Sequence, residues 1–233
     1  MKKIFIAGFQ KNSFVDYPAK ITSVVFLGGC NFRCYYCHNH NILCNSSNNI
    51  LFDDVLCQIR DQIGFIDGVV ITGGEPTLHP RLIDIIKEIR ALDKSLLIKL
   101  DTNGTNPDLL RQLIDNKLID YVAMDIKAPL EQYDQITSTK TNITLIQESI
   151  NILKLNKINY QFRTTLSPLL KEKNVKEIGK LIDGAPTFQL QQFVPNEFSN
   201  SQKTIMLPYT KEQAKAFAAI LEKNVGEVLL RGF

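Results

Sequence analysis

No stretch of this sequence is long and apolar enough to cross a membrane as a helix, because no apolar run approaches the ~20 residues that a span needs. A strong charge of either sign is missing too. With 27 basic against 24 acidic side chains the net charge is +3, and so mild an excess gives no argument for nucleic acid or a membrane as partner. The start, MKKIFIAGFQKN, has a lysine pair and a short apolar stretch but no full hydrophobic region and no small-residue cleavage site. It therefore reads as a mature N-terminus. Cysteine is scarce, with five residues, an odd number, of which three fall within eight positions. That does not look like a disulfide framework. It suits a reducing cytoplasm, where such clusters serve metal or redox chemistry. Low-complexity linkers and a second cysteine cluster are absent as well.

What is present suffices for a sizeable core. The chain has 233 residues, 44% of them hydrophobic, enough for one large domain or two small ones. Strand-like and helix-like segments alternate. Apolar runs at 21–29, 68–74, 95–104, 119–129, 159–168 and 187–195 read as strands, and 226–233 as a terminal one. Between them, 52–63, 80–92, 107–116, 143–156, 175–183 and 210–224 carry apolar residues in helical phase. In the first helix Val55, Leu56, Ile59 and Ile63 share a face, with Asp53 or Asp54 as N-cap. Cys57 lies on the opposite face and gets no role. Six strand–helix units in order predict an α/β fold, a parallel sheet covered by helices. CNSSNN (44–49) and PNEFSNSQKT (195–204) read as loops within a single domain of residues 1–233.

Polar motifs gather at the ends of these strands, where such folds place their reactive groups. The first is GGCNFRCYYCHN (28–39), which holds Cys30, Cys34 and Cys37 in the spacing C-x3-C-x2-C. Three readings stand. A buried structural cluster would not carry Asn31, Arg33, His38 and Asn39. Zinc needs four ligands, which Cys44 or His40 could complete. An iron–sulfur cube held by three thiolates would leave its fourth iron for an outside ligand.

This loop resembles that of the radical S-adenosylmethionine enzymes, with Tyr36 before the last cysteine as in many members. The resemblance implies a [4Fe-4S] cluster on Cys30, Cys34 and Cys37. Its open iron would bind the amino and carboxylate groups of S-adenosylmethionine, whose reductive cleavage yields a 5′-deoxyadenosyl radical. The family's GGE motif is matched by Gly73, Gly74 and Glu75 in ITGGEP (71–76). There glycines let backbone approach a ligand, and Glu75 can accept from the methionyl ammonium. The competing reading is a tight strand-to-helix turn with Glu75 as a first-turn charge. KLDTNGT (99–105) gives Asp101, implied to help hold a monovalent cation, or else a simple Asx turn. AMDIKAP (123–129) gives Asp125 and Lys127, near the cofactor's methionine and ribose by resemblance, or a plain ion pair. His38 is expected to line the adenine through its backbone. His79 is read as structural.

The longer stretch GFQKNSFVDYPAKITSVVFLGGCNFRCYYCHN (8–39) is similar to the opening of glycyl-radical-enzyme activating proteins. It is most similar to those of anaerobic ribonucleoside-triphosphate reductases. This implies a partial (β/α)6 barrel, open on one side, after a short N-terminal extension at 1–20, with the cluster loop at 28–40. The implied partners are a glycyl-radical enzyme, anaerobic ribonucleotide reductase above all, and a flavodoxin or ferredoxin as electron donor. Two departures stand out. Ala19 follows Pro18 where glycine is common. At the end of the sixth strand, where pyruvate formate-lyase activating enzymes usually carry His, the polar candidates are Gln191, Gln192 and Asn196. Gln192 is the expected ribose contact. Asp16 is a candidate for touching the partner loop. The other readings are an activase for pyruvate formate-lyase and a small-molecule enzyme like the 7-carboxy-7-deazaguanine synthases, using Arg163 and Gln192.

Overall fold

A computed structural model describes residues 3–43, 49–195 and 207–233. Cys44, Asn196 and most of both Asn/Ser-rich loops lie outside the described residues. The chain divides into two compact units.

The first unit comprises Met1–Asn31, Asn39–Ala123 and Lys157–Asn159. Its short β1 (Phe5–Ile6) pairs antiparallel with β4 (Ile50–Leu51). β2 (Gly8–Tyr17) and β3 (Lys20–Leu27) form an antiparallel hairpin. β3 pairs parallel with β5 (Gly68–Gly73), and β5 with β6 (Leu97–Thr102). Val24, Val25, Leu27, Val70, Ile98 and Leu100 are buried, as continuous apolar strands covered by helices require. The helices are α1 (Phe52–Arg60), α2 (Leu82–Leu92) and α3 (Pro107–Asp115). They bury the apolar stripes Phe52–Val55–Ile59, Leu82–Ile85–Ile86–Ile89 and Leu110–Leu113–Ile114.

The second unit comprises Phe32–His38, Met124–Asn156 and Tyr160–Phe233. The chain enters it partway along β7 (Tyr121–Asp125). β8 (Asn159–Leu166), β9 (Thr187–Gln192) and β10 (Glu227–Arg231) pair in parallel. Its helices are α4 (Tyr133–Thr137), α5 (Ile143–Lys154), α6 (Glu172–Leu181) and α7 (Lys211–Leu221). α7 is opened by a capping box between Thr210 and Gln213.

Strand order within the first unit is β2-β3-β5-β6, and within the second β8-β9-β10. Six strand–helix units therefore follow chain order, the topology of a (β/α)6 fold, as the sequence predicts. Some particulars differ. The N-terminal extension at 1–20 carries two strands, β1 and β2. The register of β2 shifts between Gln10 and Ser13 and again before Tyr17, so its apolar residues do not alternate cleanly. α1 is capped by the backbone at Leu51, not by an Asp53 or Asp54 side chain, and both acids sit in its first turn. It also stops at Arg60, before the positive φ of Gly64, so Ile63 is exposed rather than on the buried face. α6 starts earlier than its periodicity indicates. α4 is too short to show a period. No helix among the described residues is long and apolar enough to cross a membrane.

Candidate active site

In the first unit β3 runs into the loop that carries Cys30. The Gly29 amide donates to the Ile42 carbonyl at 2.8 Å, and the Gly29 carbonyl accepts from the Glu75 amide at 2.8 Å. The Gly74 amide donates to Leu27 at 2.8 Å, and the Asn39 side chain donates to the Gly73 carbonyl at 3.2 Å. These contacts explain the paired glycines. A Cβ on Gly74 would lie 2.0 Å from the Gly29 oxygen, and one on Gly73 would lie 2.3 Å from the Leu27 oxygen at a φ of +123°. Here glycine allows backbone to approach backbone.

Glu75 is fully buried and caps a single 3₁₀ turn, Pro76–Leu78. Its Oε1 accepts from the Thr77 amide at 3.1 Å, the Thr77 hydroxyl at 2.6 Å and the Thr102 hydroxyl at 2.7 Å. Its Oε2 accepts from the Asn103 amide at 2.6 Å. Burial pushes its carboxyl up, against the pull of these four bonds. The carboxylate thus clamps the loops after β5 and β6. The same loops are tied to the cysteine loop where Asn103 donates to Asn31 at 2.9 Å and Asn31 to Thr105 at 3.0 Å. Asp101, expected to hold a monovalent cation, faces a protein cation, since the Lys99 ammonium donates to its Oδ1. His79 accepts from the Arg81 amide at 3.3 Å, and burial lowers its pKa.

In the second unit Cys34 is buried and Cys37 partly so, with the Cys37 amide turning back to the Cys34 carbonyl at 3.0 Å. The Arg33 amide donates to the Thr137 carbonyl at 2.8 Å, and the Phe32 ring packs edge-on against Tyr133. α4, invisible in the sequence pattern, thus anchors the cysteine loop. Tyr35 donates to Ser167 at 2.5 Å, and burial pushes its phenol up to about 12. Tyr36 packs edge-on against Tyr35, and its buried hydroxyl has no hydrogen-bond partner among the described residues. Burial raises that phenol well above its ordinary value.

Asp125 lies between two cations. Its Oδ2 accepts from Lys127 at 2.9 Å and its Oδ1 from the Arg163 Nε at 2.7 Å. Burial would raise its carboxyl, but Arg163 and Lys127 outweigh that and hold it well below the usual range. Burial would also discharge Lys127, but Asp125 overrides it and keeps the lysine firmly protonated. Arg163 is thus a member of this group that the pattern reading attached only to the small-molecule alternative. Gln192 donates to the Tyr209 carbonyl at 2.8 Å, while its buried Oε1 has no partner among the described residues. The His38 side chain is exposed, and so is Cys57. Asp16 accepts from Ser13 at 2.6 Å.

The donor set suits an iron–sulfur cluster. None of the three cysteines is in a disulfide, and three thiolates are a donor set that an iron–sulfur cube takes, one to an iron.

The radical SAM superfamily profile matches residues 24–185. Over 98% of its length the chain is 32% identical to a Methanocaldococcus jannaschii protein, 96% of which is covered, described as a glycyl-radical enzyme activating enzyme. Its fold is similar to a domain of pyruvate-formate lyase-activating enzyme from Bacteroides vulgatus, with a TM-score of 0.55 at 21% identity over 71% of this chain and 99% of that one. It is also similar to native anSMEcpe with bound AdoMet, with a TM-score of 0.54 at 20% identity over 70% of this chain and 48% of that one. The superfamily works with a [4Fe-4S] cluster and S-adenosylmethionine. By the profile and the full-length likeness, this chain belongs to the radical SAM superfamily and, within it, to the glycyl-radical-enzyme activating enzymes.

Proposed function

We propose that this chain installs the glycyl radical on an anaerobic ribonucleoside-triphosphate reductase. The observation that carries the activase reading is the likeness to a glycyl-radical enzyme activating enzyme along nearly the whole chain. The choice of reductase rests on the opening stretch 8–39 and on glutamine, not histidine, at the end of β9. Cys30, Cys34 and Cys37 would hold the [4Fe-4S] cluster by three of its irons, and the iron without a cysteine would be the one to take S-adenosylmethionine. When bound, cluster and cofactor together supply a 5′-deoxyadenosyl radical able to take a hydrogen from a glycine of the partner.

The chain's own residues bind, orient and exclude water. Glu75 fixes the loops that present the Gly73 and Gly74 backbone to the cofactor. Asp125 accepts from the cofactor, with Arg163 and Lys127 keeping it ionised at any working pH. The buried Gln192 Oε1, without a hydrogen-bond partner among the described residues, is an acceptor for a ribose hydroxyl, and the buried Tyr36 hydroxyl is a further donor to the cofactor. The His38 backbone lines the adenine. The electron comes from a flavodoxin or ferredoxin. Residues 1–233 act as one catalytic domain in the cytoplasm.

The test is anaerobic reconstitution with reductant, S-adenosylmethionine and a candidate reductase, read by electron paramagnetic resonance. A glycyl radical on the reductase is the expected outcome. A radical on pyruvate formate-lyase alone would reassign the partner. Cofactor cleavage with no protein radical on either would move the reading to a small-molecule substrate.

A further inference from the structure

Lys99 is a buried charge to which no motif assigns a role, for its side chain keeps 1% of its surface. It sits inside β6, between Ile98 and Leu100, both fully buried. Strand alternation turns those two to one face and puts Lys99 and Asp101 together on the other. There the ammonium donates to Asp101 Oδ1. An ammonium out of water is costly unless a partner answers it, and so is a lone buried carboxylate. Here the two opposite charges answer one another.

The position of the pair matters. Asp101 opens the run Asp101-Thr102-Asn103. The Thr102 hydroxyl and the Asn103 amide hold Glu75 at 2.7 and 2.6 Å, and the Asn103 side chain reaches Asn31, next to Cys30. A change at Asp101 is therefore one peptide away from the clamp on the loops beside Cys30. An Asp101 carboxylate without a counter-charge would draw a cation from solution. With the ammonium on it, the pair is neutral, and the attraction for a second cation at similar range is largely cancelled.

We infer that Lys99 is a built-in cation, the positioning residue that does for Asp101 what a monovalent metal ion would otherwise do, so that this chain binds S-adenosylmethionine without one. This rests on the reading that the chain binds that cofactor.

Two measurements in potassium, sodium and choline chloride at equal ionic strength test it. The first is the Tm of the cluster-free chain. The second is the dissociation constant of S-adenosylmethionine on the reconstituted protein, with the change it makes in the spectrum of the reduced cluster. For the wild type, both are expected to coincide in the three salts. For Lys99→Met, affinity should fall by about tenfold in choline and recover in potassium or sodium, a rescue that a merely structural lysine would not show. If Lys99→Met does not fold, Lys99→Gln carries this arm. A wild type whose affinity or Tm rises with potassium overturns the inference. So does a folded variant that keeps its affinity in choline, or one that loses it and is rescued by no monovalent ion. If the wild type binds S-adenosylmethionine in no salt, the cofactor reading fails, while the Tm comparison still reports on Lys99 and Asp101.

Discussion

The Gly74 carbon faces the Gly29 oxygen so closely that even a methyl group forces backbone apart. Gly74→Ala should therefore break the bond from the Glu75 amide to Gly29, shift the loop carrying Cys30, and lower the iron bound per chain after reconstitution. Far-ultraviolet circular dichroism should stay unchanged. A variant that loads iron like the wild type would show that the loop absorbs the displacement. Glu75→Gln tests the neighbouring carboxylate. One oxygen faces the Thr77 amide and the other the Asn103 amide, so either orientation of the glutamine sets an NH2 against a backbone N–H. The expected loss is about 1–3 kcal/mol, read by urea unfolding. The glycines and Glu75 were legible as a motif, but their work was not. Two of the groups that clamp Glu75 come 27 and 28 residues later in the chain. Spacing alone cannot say that a carboxylate points into the protein rather than toward a ligand. Lys99 was hidden for a related reason: a lysine in a strand reads as a surface residue until its partner's face is known.

Among the elements, those with long continuous runs were legible. β3 and β5 are largely apolar buried strands, and α2, α3 and α5 carry stripes that only a helix explains. The failures have physical causes. β2 carries Phe14 and Val15 exposed beside a buried Ser13, so its pattern contradicts simple alternation, and the partner strand β3 holds it instead. α4 spans barely a turn and is held by its packing against the cysteine loop. The hairpin turn offers the test at this scale. Tyr17 pairs with Lys20, leaving Pro18 and Ala19 at the turn, with Ala19 at a φ of 55°. A residue with a Cβ pays about 1–2 kcal/mol there, and glycine returns part of the gain as extra freedom in the unfolded chain. Ala19→Gly should thus stabilise by up to about 1 kcal/mol, a rise in Tm of about 2–4 °C for a domain of this size. An unchanged or lower Tm would mean that the turn is not strained at Ala19.

For the molecule as a whole, the order of six strand–helix units and the family were written in the sequence, because both rest on contiguous stretches. The identity of the partner was not, since specificity is a difference between affinities and half of it belongs to another protein. Stability against pH is a whole-molecule property that the buried carboxylates determine, and two of them act with opposite sign. Burial raises the Glu75 pKa in the folded chain. Its contribution is therefore full below the unfolded carboxylate range and is lost as pH rises through the folded value. Asp125 is held low by Arg163 and Lys127 despite its burial. Its contribution is full above the unfolded range and is lost as pH falls toward the folded value. Acidifying the cluster-free chain from neutrality should first strengthen it, as the folded state takes up the Glu75 proton more readily than the unfolded state. Stability should then fall once the unfolded chain protonates its aspartates ahead of Asp125. The urea midpoint should pass through a maximum at mildly acid pH. Glu75→Gln should remove the rising limb, and Asp125→Asn, weaker at neutral pH with Arg163 and Lys127 left facing a neutral amide, should flatten the falling one. A wild-type midpoint that declines steadily from neutrality, with Glu75→Gln declining in parallel, would mean that Glu75 titrates alike in the folded and unfolded chain, and the clamp would then have to be only partly desolvated.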